Sequence, residues 1–275
     1  MTYRPSDLRA FLDELGVKPK KQLSQNFLID GNIVRKIVHF AEIKKGDCVV
    51  EIGPGPGALT EMLLEAGAHV TAIEKDSTFA KALHRLQTKD ERLTVISGDA
   101  LEVSIETCLK KKGKIVANLP YHITTPILSK LVPLNEAFES IVVMVQKEVA
   151  DRFIAKPDTE DYGSFSVFLQ FYTTPEYGFT VEPTCFYPRP KVKSAVVKLK
   201  LHSPPPVASV DRFFKMTRTA FQKRRKMLRA SLKELYGSEQ IEEGLKKIGL
   251  NPQIRPEALS LDDFLRLFQI IDNPG

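Results

Sequence analysis

The sequence predicts a doubly wound α/β domain followed by a small helical domain. Short runs of β-branched residues alternate with longer amphipathic segments between residues 46 and 201, which is typical of βαβ units around a mainly parallel sheet. A run of three prolines follows, and apolar residues then recur at helical spacing. With 275 residues, of which 43% are hydrophobic, the chain is long enough to bury one large core and a smaller one.

The first domain is expected over residues 1–202. Its seven strand candidates lie at 48–52, 69–73, 93–97, 114–117, 140–145, 166–172 and 194–201. The helix candidates between them lie at 58–65, 78–87, 126–131 and 147–154. Because parallel strands in such a domain run the same way, their carboxyl ends are expected to meet at one edge of the sheet.

The second domain is expected over residues 209–275. The segment SPPP at 203–206 cannot continue a helix or a central strand, because proline lacks a backbone N–H. Mainly apolar positions beyond it recur at helical spacing, at Phe214, Thr217, Phe221, Leu228, Leu232 and Leu235. Two further helices are predicted near 239–248 and 261–271, so this domain should be all-helical.

Positive charge is concentrated in one region of the chain. The net charge of the whole chain is +6, yet residues 187–235 contain 14 lysines and arginines against two acidic residues, a local balance of +12. The rest of the chain therefore sums to −6. Such a stretch indicates a surface that faces phosphates, although a simple solvated face has the same composition.

Targeting segments and metal sites are not indicated by the sequence. Residues 1–16 mix charged and apolar side chains without an unbroken apolar run, so neither a secretory signal nor a membrane span is predicted, and we expect a cytoplasmic protein. The cysteines Cys48, Cys108 and Cys185 lie far apart with no C-x-x-C spacing. We therefore expect no disulfide framework and no bound metal.

A glycine-rich loop follows the first strand of the α/β domain. The segment VVEIGPGPGA at 49–58 is an apolar strand that runs into a turn and opens a helix, as in Rossmann-like domains. Gly53 and Gly55 suit a backbone that closely approaches a ligand. Together with Ala58 they also satisfy the G-x-G-x-x-G/A pattern of dinucleotide enzymes, so the loop alone does not separate a nicotinamide cofactor from S-adenosylmethionine.

Three acidic residues near strand ends favour S-adenosylmethionine. The carboxylate of Glu51 would disfavour a pyrophosphate but complement a sulfonium or an amino-acid group. Glu74 ends the second strand and could accept hydrogen bonds from both ribose hydroxyls, which either cofactor requires. Asp99 follows the third strand and could accept the exocyclic amine of the cofactor's adenine; a single such acid would usually be only a cap or a turn residue.

The segment NLPY at 118–121 follows the fourth strand and predicts amine methylation. An exocyclic adenine amine is a poor nucleophile because its lone pair is delocalised into the ring. The side-chain oxygen of Asn118 and the backbone carbonyl of Leu119 could accept its two N–H groups and free the lone pair. Pro120 would fix the backbone, and Tyr121 would stack on the base. An isolated string of this kind would be a plain Asn-x-Pro turn.

These segments resemble the ribosomal RNA small-subunit adenine dimethyltransferase family, which is related to the erythromycin-resistance rRNA methylases. Six matching segments follow one another in order, at 21–28, 51–60, 118–121, 146–150, 186–195 and 220–226. The resemblance implies a Rossmann-like S-adenosylmethionine-dependent domain with a small helical domain. It also implies dimethylation of N6 on two adjacent adenines in the 3′-terminal hairpin of 16S rRNA, within the small ribosomal subunit, during ribosome biogenesis.

The same resemblance assigns roles to individual residues. It implies cofactor contacts by the N-terminal segment, the glycine loop and the strand ends, at Asn26, Leu28, Gly53, Gly55, Glu74, Asp99 and Asn118. Phe186 is implied as a second aromatic wall beside the base; without the family, it and Phe27 would be interpreted as core residues. Ser24 stands where the family usually has glycine, so it is not assigned a contact.

A basic helix is predicted to hold the RNA. Five basic residues fall within two helical turns and would cover much of the helix circumference, namely Lys223, Arg224, Arg225, Lys226 and Arg229. Further lysines and arginines could complete a rim, namely Lys18, Lys20, Lys21, Arg189, Lys191 and Lys193. Such contacts position RNA without reading its sequence. We expect a monomer whose partner is 16S rRNA.

Three alternatives stay open at this point. A nicotinamide dehydrogenase would explain the glycine loop but not the segment at 118–121 or the basic stretch. A non-enzymatic RNA-binding factor could keep all of these residues. A DNA adenine methylase would use the same tetrapeptide, so the choice of RNA depends on the family resemblance.

Overall fold

A computed structural model describes residues 5–19, 25–109, 111–223 and 226–272. The strands in the described ranges are β1 Phe27–Leu28, β2 Cys48–Ile52, β3 His69–Glu74, β4 Leu93–Ser97, β5 Gly113–Asn118, β6 Phe138–Gln146, β7 Thr173–Val181, β8 Phe186–Tyr187 and β9 Ser194–Leu201. The helices are α1 Pro5–Glu14, α2 Gly31–Phe40, α3 Ala58–Glu65, α4 Ser77–Leu83, α5 Thr124–Leu131, α6 Lys147–Ile154, α7 Ser164–Tyr172, α8 Val210–Gln222, α9 Leu228–Leu232, α10 Ser238–Lys247 and α11 Leu261–Ile271.

A seven-stranded sheet has the order β4-β3-β2-β5-β6-β9-β7. Strands β4, β3, β2, β5 and β6 pair in parallel, and β9 pairs antiparallel with β6. The predicted fold class is confirmed. The strands are rich in valine and isoleucine because both faces of a parallel sheet are covered by helices, so both faces must be apolar. Strand β6 illustrates this, since every residue from 140 to 145 is buried.

Helix starts in the α/β part coincide with residues suited to a cap. The carboxylate of Asp30 accepts hydrogen bonds from the backbone N–H groups of Asn32 and Ile33 at the start of α2. Asp76 caps α4 through the N–H of Thr78 in the same way. These caps fix where the chain turns from the sheet edge into each helix.

The chain divides into two compact units. Unit 1 contains the described residues of 1–150 and 174–202, and unit 2 contains those of 151–173 and 203–272. The sequence places a boundary only after residue 202, and it assigns 151–173 to the first domain. That segment groups with the C-terminal helices instead.

An aromatic core explains why 151–173 groups with unit 2. Phe171 of α7 stacks on Phe213 of α8, with ring centroids 5.4 Å apart. Phe168 meets Phe214 edge-on at 5.0 Å, and Phe213 packs against Phe268 of α11 at 5.4 Å. The three helices therefore share one apolar interior.

The strand predicted at 166–172 is wrong, because this segment is helix α7. Its aromatic residues recur three and four positions apart, and Phe168 contacts both Phe165 and Tyr172, at 5.6 and 5.4 Å between ring centroids. A short apolar run does not distinguish a strand from a buried helix by periodicity alone. The strand that completes the sheet comes directly afterwards, as β7.

The continuous basic helix is also wrong. Helix α8 ends at Gln222 and α9 begins at Leu228, and between them the N–H of Lys226 donates to the carbonyl of Lys223 at 2.8 Å in a turn. Arg224 and Arg225 lie outside the described residues. The remaining C-terminal predictions correspond to α10 and α11. In the described part of the chain, no helix is both long and apolar enough to span a bilayer.

Candidate active site

A cleft opens in unit 1 at the carboxyl edge of the sheet, where the strand order reverses between β2 and β5. Ligands bind at such switch points in open α/β sheets. The cleft encloses about 910 Å³, including its open mouth, which is within the size range of small-molecule sites. The cleft is lined by residues at or just after the ends of four parallel strands and by residues 25–27: Gln25, Asn26, Phe27, Ile52, Gly53, Gly55, Ile73, Glu74, Lys75, Gly98, Asp99, Ala100, Asn118, Leu119, Pro120, Tyr121 and Ile123.

The glycine loop forms the floor of this cleft. Gly55 has φ +54°, and its N–H donates to Oε2 of Glu74 at 2.9 Å. A Cβ atom at Gly55 would lie 3.2 Å from the ring of Phe27, so the loop accepts no larger residue there without movement. A Cβ atom at Gly53 would meet only Pro120 Cδ, at 3.9 Å, and would project into the cleft.

The loop is supported from behind. Gly57, with φ +88°, is the N-cap residue of α3, and a Cβ atom there would lie 2.7 Å from Leu86 and 2.8 Å from Leu83. The guanidinium of Arg85 donates to the carbonyl of Pro56 and lies 4.2 Å from the ring centroid of Phe11 in α1. Burial lowers the pKa of Arg85. The loop is therefore packed between two leucine side chains and one arginine.

Glu74 ends β3 and is held by the backbone. Its Oε2 accepts from Gly55 N–H and its Oε1 accepts from Asp76 N–H at 2.8 Å. Burial raises the pKa of Glu74 although both hydrogen bonds oppose this shift. Each carboxylate oxygen has a second lone pair, so the group can still accept from two hydroxyls.

Asp99 follows β4 and forms a turn. Its Oδ1 accepts from Leu101 N–H at 2.9 Å, and its Oδ2 pairs with Nζ of Lys75 at 2.7 Å. The hydrogen bond from Lys75 lowers the pKa of Asp99, so this carboxyl is ionised at neutral pH. An ionised carboxylate can accept an exocyclic amine.

Glu51 departs from the sequence interpretation. It is 1% exposed, and its Oε2 accepts from the hydroxyl of Thr60 at 2.6 Å. Burial raises the pKa of Glu51 to about 8, so the fold favours the protonated acid at neutral pH. Glu51 lines a smaller cavity beside the loop, with Gly53 and Asn118. Glu51 therefore does not present the free negative charge to the cofactor that the sequence suggests.

The tetrapeptide begins at the last residue of β5. Nδ2 of Asn118 donates to the backbone carbonyl of Asn26 at 3.2 Å, which fixes the carboxamide and leaves its oxygen for a ligand donor. The N–H of Leu119 donates to the carbonyl of Met144 in β6 at 3.2 Å. Pro120 has φ −57° and ψ 131°, in accord with the predicted rigid backbone. Asn118 and the peptide of Leu119 are thus held by neighbouring strands and by the N-terminal segment.

Tyr121 begins a turn of 3-10 helix, Tyr121–Ile123, that leads into α5. Its hydroxyl lies 2.9 Å from Oγ of Ser194 at the start of β9. Burial raises the pKa of Tyr121, so the phenol is neutral. The hydrogen bond holds one end of a ring that lines the cleft.

The residues present fit S-adenosylmethionine. Gly53 and Gly55 leave space without a side chain, Glu74 offers acceptors for hydroxyls, and Asp99 offers an acceptor for an amine. The cleft wall also carries the apolar side chains of Ile52, Ile73 and Ile123. Among the residues that the structure describes, no group of three or more metal-ligating side chains is present.

Most of the predicted site residues meet in this cleft. Those that line it are Asn26, Gly53, Gly55, Glu74, Asp99, Asn118, Leu119, Pro120 and Tyr121. Leu28 instead lines the smaller cavity. Phe186 is 4% exposed, pairs with Leu28 between β1 and β8, and packs in the hydrophobic core. The structure therefore does not bring Phe186 to the cleft wall.

Other predicted residues lie elsewhere. Lys223 is on unit 2, and its side chain is 3.7 Å from Glu234. Lys226 is also on unit 2. Arg224, Arg225, Ser24, Lys20 and Lys21 fall outside the described residues.

Sequence reasoning missed several cleft residues. They are Gln25, Phe27, Ile52, Ile73, Lys75, Gly98, Ala100 and Ile123. All but Ile123 are chain neighbours of a predicted residue, so the rule that strand ends share an edge could have found most of them. Phe27 is the least expected, because it also packs edge-on against Phe79, with centroids 5.4 Å apart.

Comparison with known proteins identifies the family. The family model described as ribosomal RNA adenine dimethylase matches residues 16–273. The chain belongs to this family. Its relatives include the ribosomal RNA small subunit methyltransferase A of Protochlamydia amoebophila (strain UWE25), which is 54% identical over 272 residues, covering 97% of this chain and 96% of the relative. The protein of the same name from Chlamydia muridarum (strain MoPn / Nigg) is 45% identical over 267 residues, covering 96% of each.

Two solved structures of RNA-modifying enzymes, as their names describe them, have the same fold. The 23S rRNA methyltransferase ErmE matches with a TM-score of 0.70 and 26% identity, over 90% of this chain and 100% of that one. A dimethyladenosine transferase from Plasmodium falciparum matches with a TM-score of 0.73 and 26% identity, over 88% of this chain and 96% of that one. The family assignment shows an rRNA adenine dimethyltransferase, so the dehydrogenase alternative is wrong.

Proposed function

We propose that the chain transfers methyl groups from S-adenosylmethionine to N6 of two adjacent adenines in the 3′-terminal hairpin of 16S rRNA. The products are N6,N6-dimethyladenosines in the small ribosomal subunit. The observation that carries this proposal is the fixed carboxamide of Asn118, whose Nδ2 donates to Asn26 beside the glycine loop. Relatives that match 96–97% of the chain are named ribosomal RNA small subunit methyltransferase A, which supports 16S rRNA as the substrate.

The cofactor would lie across the cleft floor. Glu74 would accept the ribose hydroxyls, Asp99 the adenine amine, and Gly53 would lie beneath the amino-acid portion. When bound, S-adenosylmethionine supplies a sulfonium methyl group that is transferred in line to a nucleophile. Asn26 is bonded to Asn118 through its carbonyl, so the N-terminal segment and the tetrapeptide would close on the same ligand.

The protein's part in methyl transfer is to prepare and hold the target amine. The Asn118 oxygen and the Leu119 carbonyl would accept its two N–H groups, which reduces delocalisation of the lone pair into the ring. Pro120 holds the Leu119 carbonyl in one orientation. Tyr121 would stack on the extruded base, since its ring lines the cleft and its hydroxyl is tied to Ser194.

The RNA would be held mainly by phosphate contacts. Residues 223–226, written KRRK, are the densest basic run of the chain, and the proposal assigns Lys223, Arg224, Arg225 and Lys226 to the RNA. These contacts would position the substrate and leave base selection to the cleft. The proposal also places the protein in the cytoplasm, where small subunits assemble, and treats it as a monomer.

The proposal is tested by incubating the protein with labelled S-adenosylmethionine and small subunits that lack these methyl groups. Mapping of modified nucleotides should find the label on N6 of two neighbouring adenines in the terminal hairpin of 16S rRNA. Label at other nucleotides would overturn the substrate assignment, and no label in any RNA would overturn the reaction itself. Free 16S rRNA, assayed in parallel, shows whether the assembled subunit is needed.

A further inference from the structure

Lys130 makes an unusual set of hydrogen bonds close to the cleft. Its Nζ donates to three backbone carbonyls, those of Ala100, Leu101 and Val103, at 3.1, 2.8 and 2.6 Å. An ammonium group has three N–H donors, so all of them are directed at one short loop. Hydrogen bonds from a charged donor are stronger than those between neutral groups.

The loop that Lys130 binds begins at Asp99. The N–H of Leu101 donates to the Asp99 carboxylate, and the N–H groups of Glu102 and Val103 donate to the Asp99 carbonyl at 2.9 and 3.0 Å. Asp99 and Ala100 both line the cleft. Residues 99–103 therefore form a compact turn whose N–H groups face Asp99 and whose carbonyls face Lys130.

Lys130 belongs to the element that follows the catalytic tetrapeptide. It is the penultimate residue of α5, where a cation also complements the helix dipole. The chain runs from Asn118 through the turn at Tyr121–Ile123 directly into this helix. One side chain thus connects the segment that would hold the target amine with the loop that would hold the cofactor's adenine, both within unit 1.

We propose that Lys130 is a positioning residue, which sets the orientation of Asp99 and Ala100 toward the adenine of the cofactor. Lys130 is not among the residues that line the cleft, so it acts through the loop and not by touching the ligand. This inference rests on the proposed S-adenosylmethionine site. It predicts an effect on cofactor affinity and on recognition of the adenine amine, with little effect on the methyl-transfer step.

A matched control lies at the amino ends of the parallel strands, opposite the ends that form the cleft. Lys114, near the amino end of β5, donates through Nζ to the carbonyl of Glu42 at 2.8 Å and to Oδ2 of Asp47 at 2.9 Å. Like Lys130, it holds a loop through its ammonium group, although one of its two acceptors is a carboxylate. Neither of its acceptors, Glu42 or Asp47, lines the cleft, so loss of these hydrogen bonds should change stability without changing cofactor recognition.

The test compares Lys130→Met with Lys114→Met. Dissociation constants are measured by calorimetry for S-adenosylmethionine and for its 6-deaminated analogue, which carries an oxo group in place of the adenine amine. Lys130→Met should weaken S-adenosylmethionine binding about 10-fold. It should weaken binding of the 6-oxo analogue less, so that the ratio of the two dissociation constants moves closer to one. At saturating cofactor, kcat should change less than about 3-fold. Lys114→Met should leave both dissociation constants at their wild-type values.

A double-mutant cycle with Asp99→Asn identifies the route of the effect. If Lys130 acts through Asp99, the double variant should bind S-adenosylmethionine more tightly than the product of the two single effects predicts. Should Lys130→Met fail to fold, Lys130→Gln retains two N–H donors and should show the same changes at smaller size.

The outcomes separate the two proposals. An unchanged preference for the amine form, or equal losses in Lys130→Met and Lys114→Met, would overturn the role of Lys130 while wild-type binding of S-adenosylmethionine stands. Failure of the wild type to bind S-adenosylmethionine would overturn the cofactor assignment and the role of Lys130 together.

Discussion

The cleft in unit 1 and the basic segment at 223–226 in unit 2 differ in how far their polar and charged side chains are fixed by other protein groups. In the cleft, Asn118, Glu74 and Asp99 each have a hydrogen-bond partner within the protein. In the basic segment, the Lys223 side chain is 52% exposed, and Glu234, which lies 3.7 Å from it, is more exposed still. Function in the cleft should therefore depend on geometry, whereas function in the basic segment should depend on charge and salt.

The largest effect on turnover is expected from Asn118→Ala. Loss of the carboxamide removes one acceptor for the target amine, so kcat should fall about 100- to 1000-fold while S-adenosylmethionine still binds. Methyl transfer to small subunits and calorimetry of the cofactor measure the two quantities. Asn135→Ala, in a turn outside the cleft, serves as the control and should keep wild-type turnover. Near-normal turnover of Asn118→Ala would contradict the role given to this residue.

Substitution of Tyr121 should separate stacking from its hydroxyl contact. Tyr121→Ala removes the ring and with it a stacking free energy of about 1–3 kcal/mol. The value of kcat/KM should therefore fall roughly 5- to 150-fold. Tyr121→Phe loses only the hydrogen bond with Ser194 and should stay within a few-fold of the wild type. Equal losses in the two variants would show that the hydroxyl, and not the aromatic face, is what matters.

Charge reversal in the basic segment should affect RNA alone. Arg224→Glu/Arg225→Glu should weaken RNA binding about 10-fold and reduce the slope of log affinity against log salt by about 2, with cofactor affinity nearly unchanged. Filter binding at several salt concentrations measures this. Lys246→Glu/Lys247→Glu carries the same charge change on α10 and should have a smaller effect. Parallel loss of RNA and cofactor affinity would remove the distinction between the two regions.

The smallest effect on turnover is expected from Glu51→Gln. This substitution should instead change how the stability of the protein depends on pH. The pKa of Glu51 is raised in the fold, so its contribution to stability is complete below about 4.5 and is lost as the pH rises toward about 8. Chemical unfolding measures the free energy of unfolding of both proteins across this pH window. As the pH rises, the value for the wild type should fall relative to that of the variant by on the order of a few kcal/mol. Parallel stability curves for the two proteins would mean that Glu51 titrates normally.

The residues of the cleft could be predicted from the sequence because the course of the backbone determines their positions. Parallel strands that alternate with helices must end at one edge, so Gly53, Glu74, Asp99 and Asn118 could be placed together from their positions after successive strands. The residue types at 118–121 then predicted amine methylation, and the resemblance to a family supplied the RNA substrate. What spacing could not supply was protonation, as at Glu51, because it depends on burial from all sides.

Unit 2 was predicted less well, because side-chain packing determines which of its segments are helical and where its helices end. Segment 164–172 carries residues compatible with a strand or a helix, and the aromatic contacts of Phe171 with Phe213 favour the helix. The pattern from 214 to 235 keeps helical spacing across a break that lies between α8 and α9. Phe186 was assigned by resemblance, and its pairing with Leu28 in a two-stranded sheet directs it into the core.

The glycine loop is held in place by side chains of the protein itself. Leu83 and Leu86 fill the space beneath Gly57, and Arg85 bonds to Pro56 while it covers Phe11 of the first helix. Ordering a flexible segment on binding costs conformational entropy, and a rigid one avoids that cost. The free energy of cofactor contacts at this loop is therefore available as affinity, and the first helix of the chain contributes to it without touching the ligand.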